Sequence, residues 1–560
     1  MTTDSARPWL DSYAPGIPHD IEPAKGSLID LVRDTATTYP KAVALEYFGA
    51  ETTYSDLVEQ VQRAAEGLRK LGVKAGDTVA LILPNCPQHV VAFYAILRLG
   101  AIVVEHNPLY TPRELQHQFE DHGARFAIAW DKTVKTIQAF PAEVPIEAIV
   151  SIDVTKAMPL LMRAQLRLPV KRARESRDRL TTEVTGTTTW EQVASSARID
   201  LAHPRPATDD LALIQYTSGT SGSPKGAMLT HGNLLSNAAQ ARAWIPQIKD
   251  GETVVYAILP MFHAYGLTLC LTFAMRMGAR LVLFPAFEPS LVLKAMKKHP
   301  PTFLPAVPPI YQRLQRAADD AGVSLKGIEI AISGAMPLSA AVVDPWEERS
   351  GGWLIEGYGL SETSPILMAN PVSDNRRAGT VGMPMSSTYA RAVDPDDPTR
   401  EVAPGERGEL VVKGPQVFQG YYGRPEETAE AFADGWFRTG DIVTISEDGY
   451  FTIVDRIKDL IITGGFNVSP SEVEDLLRKF DGVADVAVVG LGSTQNEQVT
   501  AAVVVEKGAT LDEAALREYA RENLAAYKVP RRIVIVNDLP KSLIGKVIRR
   551  KVKEQLLAKK

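Results

Sequence analysis

A chain of 560 residues, 45% apolar and 23% charged, is too long for one hydrophobic core and too apolar to be disordered. Its net charge of −6 excludes a global pull toward nucleic acid or anionic membrane, and two cysteines, Cys86 and Cys270, exclude a disulfide framework or a Cys/His zinc cluster. The opening MTTDSARPWLDSYAPGIPHD has no basic segment followed by an apolar run, and no stretch reaches the roughly 18–20 apolar residues of a membrane span, so a cytoplasmic protein is expected.

In chain order, TYSDLVEQVQRAAEGLRKLG (53–72) carries apolar residues at helical spacing and stops at Gly72. DTVALILPN (77–85) follows as a buried strand, PQHVVAFYAILRLGA (87–101) as a second helix and IVVEHN (102–107) as a second strand. Strand, helix and strand in turn predict an α/β fold with parallel strands. Residues 156–180 break this rhythm: from Arg163 to Arg179 there are seven basic residues and two acids, Glu175 and Asp178. They read as a solvated surface insertion, or more sharply as a partly amphipathic segment touching anionic lipid, with Pro159 and Pro169 interrupting any continuous helix. Glycine turns accumulate from 405 to 465. Beyond them the strands ADVAVVGL, QVTAAVVVE and RRIVIVNDL, a helix over TLDEAALREYARENL with a Thr510–Glu513 capping box, and a last helix in GKVIRRKVKEQLL describe a small α+β unit. The expected organisation is a large N-terminal domain of packed parallel and mixed sheets flanked by helices, 1–457, and a small C-terminal domain, 458–560.

The stretch YTSGTSGSPKG (216–226) cannot fill a core. Its glycines let backbone N–H groups converge on one anion, its hydroxyls add donors, and Lys225 adds charge; together they predict a polyphosphate cradle. It is not the Walker loop, because Pro224 stands where the second glycine of that pattern belongs. It is not a Gly/Ser linker either, because LALIQ before it reads as strand and AMLTHGNLLSNAAQ after it leads into a helix.

With YTSGTSGSPKG come LPMFHAYG (259–266), SGAMPLS (333–339), EGYGLSET (356–363), GELVVKGPQVFQGYY (408–422), GWFRTGD (435–441), DRIKDLIITGGFNVSP (455–470) and PKSLIGKVIRR (540–550). In this order they resemble the acyl-adenylate-forming enzymes: acyl-CoA synthetases, firefly-type luciferases and peptide-synthetase adenylation domains. The match looks most like bacterial long-chain fatty-acyl-CoA synthetases.

The resemblance implies that a carboxylate is joined to the α-phosphate of ATP and then passed to a thiol. It places Thr217, Ser218, Gly219, Thr220, Ser221, Gly222 and Lys225 around the β- and γ-phosphates, with Thr217 and Glu362 holding Mg²⁺. It puts Ser361 on the α-phosphate, Tyr358 on adenine within Glu356, Gly357 and Gly359, and Gly334 and Ala335 between the adenine and acyl sites. Asp441 matches the ribose aspartate and Arg456 the arginine near it. His263 would orient or gate where acid and CoA enter, beside Tyr265, and small residues at Gly266 and Ala335 would leave room for a chain. Lys546 would bridge carboxylate and α-phosphate, although Ile544 replaces the hydroxyl residue common two places earlier. Lys458 matches the hinge of a mobile C-terminal domain, and Gly464 and Gly465 the strand edge that lines the path of CoA. The implied partners are ATP, a fatty acid and CoA, with no nucleic acid; peripheral membrane contact would run through 156–180. Medium-chain or aryl acids, and a non-catalytic acyl-nucleotide binder, stay open here.

Overall fold

The computed structural model describes residues 7–217, 224–463, 466–493, 496–524, 526–541 and 547–558. They fall into two compact units. The larger holds Leu10–Tyr389 and Lys413–Ala431, and the smaller holds the described residues within Met1–Trp9, Ala390–Val412 and Phe432–Lys560.

Two sheets organise the larger unit. In the seven-stranded sheet the order is Thr188–Thr189, Ala148–Ile152, Phe126–Trp130, Thr78–Ile82, Ile102–Glu105, Leu211–Tyr216 and Gly226–Thr230. All its pairs are parallel except the last, where the chain returns antiparallel with Tyr216 opposite Gly226. The nine-stranded sheet has a parallel centre (Trp353–Gly359, Ile330–Ser333, Phe303–Ala306, Val254–Ala257, Arg280–Leu283, Val43–Tyr47) and antiparallel edges. The α/β expectation therefore holds, with the two helices as Tyr54–Lys70 and Pro87–Arg98. The second of these touches strands of both sheets and is buried at every residue from Gln88 to Arg98. Hence its sequence is apolar all round instead of striped.

Buried imidazoles recur in this unit. The Ala124 N–H donates to His122 Nδ1 at 3.0 Å, so the His122 proton sits on Nε2, which faces His106 Nε2 at 3.1 Å. His106 must then accept there and donate from Nδ1 to Gln118 Oε1 at 2.6 Å. This chain closes only if both rings are neutral. Burial accordingly pushes His106 down to about 4 and His122 well below its ordinary value. His231, whose Nδ1 accepts from the Leu28 N–H at 3.3 Å, is likewise pushed by burial to about 4.

The basic segment forms two helices, Leu160–Leu166 and Lys171–Leu180, with Pro159 at the N-cap of the first and Pro169 in the break between them.

In the smaller unit, Val483–Ser493, Asn496–Val505 and Arg532–Val536 make a three-stranded sheet. Strand alternation divides its two faces. Val486 and Val488 meet Leu477 and Leu516 of the helices Pro470–Leu477 and Glu513–Asn523. Ala487, Val489 and Leu491 meet Val552 and Leu556 of Arg549–Ala558. One expectation is corrected: the helix at 513 is capped by Asp512, which accepts from the Ala514 N–H, and not by a Thr510–Glu513 box. The helix starts later than the box requires, and the carboxylate is already in reach of the unpaired N–H groups of the first turn.

The neutral histidines set a pH dependence. Their folded pKa values lie below the roughly 6.5 of an unfolded chain, so the unfolded state binds more protons between about 6.5 and about 4. Their contribution is intact above this window and is lost as pH falls through it. Thermal midpoints should fall with pH across the window, and His106→Gln should flatten that slope while lowering the midpoint at pH 7. Parallel wild-type and variant curves would contradict the assignment.

Candidate active site

The base of the phosphate loop is fixed by backbone. The Thr217 N–H donates to the Lys225 carbonyl at 2.9 Å, directly above the Tyr216–Gly226 pair. Residues 218–223, which include Ser218, Gly219, Thr220, Ser221 and Gly222, lie outside the described residues, as do Gly464, Gly465 and Lys546.

A segment from far along the chain is strapped beside this loop. The Gln419 N–H donates to the Met228 carbonyl at 3.1 Å, Met228 to Gly420 at 2.9 Å and Tyr422 to Gly226 at 2.8 Å. Tyr421 is thereby set between two of the expected site residues. Its ring lies 5.0 Å from Lys225 Nζ, and its hydroxyl donates to Glu362 Oε1 at 2.9 Å. Burial, and then the nearby Glu362 charge, raise the Tyr421 pKa, so it stays a donor. Glu362 itself is buried in the short turn Ser361–Thr363 that follows the strand Trp353–Gly359, and its carbonyl accepts from the Phe418 N–H at 2.8 Å. Sequence reasoning missed Tyr421, although it stands inside the GYY of a quoted motif. Its partners are remote in the chain, so no local signal marked it.

Beyond Glu362 the same strand borders a largely apolar cavity enclosing about 710 Å³ with its mouth. Its lining includes Tyr358, Ser361, Gly334 and Ala335, the apolar Ala241, Trp244, Phe303, Ile366 and Met385, and His263 and Tyr265. The Tyr265 hydroxyl is held by the carbonyls of Ile332 at 2.7 Å and Ala306 at 3.1 Å, and a Cβ added at Gly334 would sit 3.1 Å from the ring. Glycine therefore keeps the ring and the strand end together. Ala335 adopts φ +64, the left-handed turn that carries the chain away from the cavity wall.

His263 Nδ1 accepts weakly from the Tyr265 N–H at 3.4 Å, which leaves the ring proton on Nε2. The ring is exposed to solvent within the cavity, yet the surrounding protein mass disfavours its charge and lowers its pKa. It is suited to donate as a neutral imidazole. The loop leading to it is held by Asn85, whose amide donates to the carbonyls of Ala257 and Leu259 and accepts from Met261.

Two expectations change. Gly266 does not line the cavity: a Cβ there would lie 2.1 Å from the Pro260 carbonyl oxygen, so its smallness serves backbone packing. Glu356 lines a different hollow with Leu338, Asn370 and Arg376, where burial pushes its pKa up to about 8. Gly357 and Gly359 do border the main cavity.

In the smaller unit Asp441 and Arg456 are cross-strand partners, with Arg456 Nε 2.8 Å from Asp441 Oδ1. Lys458 falls in the turn Ile457–Asp459.

The AMP-binding enzyme family model matches residues 32–422, and the AMP-binding enzyme C-terminal domain matches 472–546. The long-chain-fatty-acid–CoA ligase of Bacillus subtilis is 37% identical over 557 residues, covering 98% of each chain. That of Salmonella typhimurium is 37% identical over 558 residues, again 98% of each. The crystal structure of ATP-bound MatB from Rhodopseudomonas palustris is similar with a TM-score of 0.81, at 31% identity, covering 95% of this chain and 99% of that one.

Tyr421→Phe removes the hydrogen bond to Glu362 while keeping the ring under Lys225. A bond to a charged acceptor is worth about 1.5 kcal/mol or more to the folded state, so the thermal midpoint should fall, and the ATP concentration for half-maximal rate should rise as Glu362 loses its orientation. An unchanged requirement would show that Tyr421 does not position Glu362.

Proposed function

The chain belongs to the AMP-binding enzyme family, and we propose that it is an ATP-dependent ligase joining a long-chain fatty acid to CoA. The observation that carries the reading is a largely apolar cavity lined both by Tyr358, Ser361 and Gly334 and by Trp244, Ile366 and Met385. A carboxylate beside the polar groups of such a slot points at the nucleotide while its chain lies in apolar surroundings.

In the proposed sequence a carboxylate oxygen attacks the α-phosphorus of ATP and pyrophosphate leaves. The CoA thiolate then attacks the acyl carbon and AMP leaves. The first step joins two anions, so neutralising charge and aligning the attack carry the catalysis. Lys225 serves the β- and γ-phosphates and Ser361 the α-phosphate. Tyr358 packs on adenine. Asp441 takes the ribose hydroxyls with Arg456 beside it, and His263 Nε2–H steadies the acid. Lys546, a compact cation outside the described residues, serves adenylation. Lys458 is the hinge and Gly464–Gly465 the edge along which CoA enters, in a C-terminal domain beginning at 458.

Thr217 and Glu362 would hold Mg²⁺. A buried carboxylate already oriented by a phenol, with a hydroxyl at the loop base, is the oxygen donor set that a hard cation takes. When bound, the ion would neutralise phosphate charge.

Among the described residues no helix is long and apolar enough to cross a membrane. The proposal sets the enzyme on the cytoplasmic side of the membrane.

The test is pyrophosphate release with ATP, Mg²⁺ and CoA across acids from acetate to oleate, with benzoate and coumarate, and the thioester checked by mass. A maximum among long-chain acids is expected. A maximum on medium-chain or aryl acids would overturn the chain-length assignment, and ATP binding without turnover would overturn the enzyme reading. In the same assay Lys546→Ala should lose at least about a hundredfold in adenylation, the scale of losing one preorganised charge. It should retain most thioester formation from supplied acyl-AMP. Equal loss of both steps would remove Lys546 from its role.

A further inference from the structure

The helical pair Leu160–Leu166 and Lys171–Leu180 buries none of its residues. Its apolar side chains therefore contribute nothing to the core, yet it carries four of the nine large apolar side chains exposed among the described residues. These are Leu160 at 79%, Leu161 at 72%, Leu168 at 51% and Val170 at 52% exposure. Leu160 and Leu161 open the first helix, and Leu168, Pro169 and Val170 form the exposed tip between the helices. A cluster of aliphatic groups held in water, on elements with no packing duty, marks a surface that is covered by something else.

The charge around it identifies the cover. Arg163, Arg167, Lys171, Arg172, Arg174, Arg177 and Arg179 lie in the same stretch, on a chain whose net charge is −6; Arg163, Arg167 and Arg177 also line a hollow with Asp131, Asp153 and Glu191. Lys171 and Arg177 have weak intrahelical acid partners, at 3.9 and 3.7 Å. The other five have no acidic partner among the described residues. The pair is moored at its C-terminal root: the Trp130 indole donates to the Leu180 carbonyl at 2.8 Å, Lys132 Nζ to the Asp178 carbonyl, and Thr181 Oγ1 to Asp131 Oδ2. Leu168 and Val170 lie at the tip, Leu160 and Leu161 open the first helix, and the C-terminal end carries the attachment.

We propose that this helical pair docks the protein on the surface of an anionic bilayer, with Leu160, Leu161, Leu168 and Val170 entering the acyl boundary and the arginines and lysines resting on lipid phosphates. Nucleic acid and acidic proteins would use the cations but leave four aliphatic side chains in water. A bilayer uses both. One aliphatic cluster alone gives weak, reversible binding, and the cations supply the second attraction. The surface deepens the proposed function, because it places the ligase where long-chain acids partition, and it is measured without any turnover.

The test is flotation of the full chain with phosphatidylcholine vesicles, with and without roughly 30% phosphatidylglycerol, at low and raised salt. The wild type should float with the anionic vesicles and be released by salt. A Leu160→Ser, Leu161→Ser, Leu168→Ser, Val170→Ser variant should bind more weakly at both salt levels. An Arg163→Gln, Arg167→Gln, Lys171→Gln, Arg172→Gln variant should lose roughly fivefold in affinity per cation at low salt. Thermal midpoints of both variants should match the wild type, since nothing they alter is buried. The proposal is overturned if the wild type stays soluble, if either folded variant floats like the wild type, or if the wild type binds a single-stranded RNA but not the vesicles. Failure of ligation with every acid, alongside normal flotation, would overturn the function and leave the surface standing.

Discussion

The strap of residues 419–422 along the strand Gly226–Thr230 is the constraint on which the site depends. A phosphate loop needs an open backbone, and an open backbone does not hold its own shape. Here the loop is pinned at its base by the Thr217–Lys225 bond and flanked by a second segment bonded to the same strand. Tyr421 then carries that order across to Glu362 through its hydroxyl. Two polar groups far apart in the chain are set in register by main-chain hydrogen bonds, whose geometry tolerates little drift. Preorganisation of this kind matters most where charges must be aligned before they react.

The same device recurs on the helix His231–Trp244. Asn233 donates to the carbonyls of Pro415 and Val417, Asn237 exchanges bonds with Ile366, and Gln240 reaches Ser386 and Gln416. Each amide is buried; Asn233 and Gln240 bind segments outside the strands, and Asn237 the first residue of the edge strand Ile366–Ala369. A buried amide left unpaired costs about 1–3 kcal/mol, so these loops cannot leave without penalty. One helix thus holds three segments that precede the strap, while Ala241 and Trp244 of its last turn line the cavity. Lining of the cavity and anchoring of the segments that lead to the strap come from a single element.

Much of this was legible in the sequence where the signal is local. The alternating strands and helices of the first half and the strands and helices of the C-terminal α+β unit announce themselves within windows of 10–20 residues. Asp441 and Arg456, expected near each other, are cross-strand partners. What could not be read depends on partners distant in the chain. Tyr421, Asn85 and the amides of His231–Trp244 look like ordinary polar residues until packing supplies their acceptors. Gly266 misled for the same reason: a missing side chain leaves room equally for a ligand or for a neighbouring backbone, and only the 2.1 Å approach to Pro260 decides between them.

The basic segment shows the opposite limit of local reading. Its charge was plain, but charge alone fits a solvated face as well as a docking surface. The structure adds that Leu160 and Leu161, on a helix that buries nothing, and Leu168 and Val170, in the break after it, are exposed. A solvated insertion gains nothing from four large aliphatic groups in water, each of which favours association of the chains that expose it. The cations do not remove that liability; they direct it toward an anionic, apolar-cored partner. A polar reading of the segment explains seven residues, whereas an amphipathic one explains eleven.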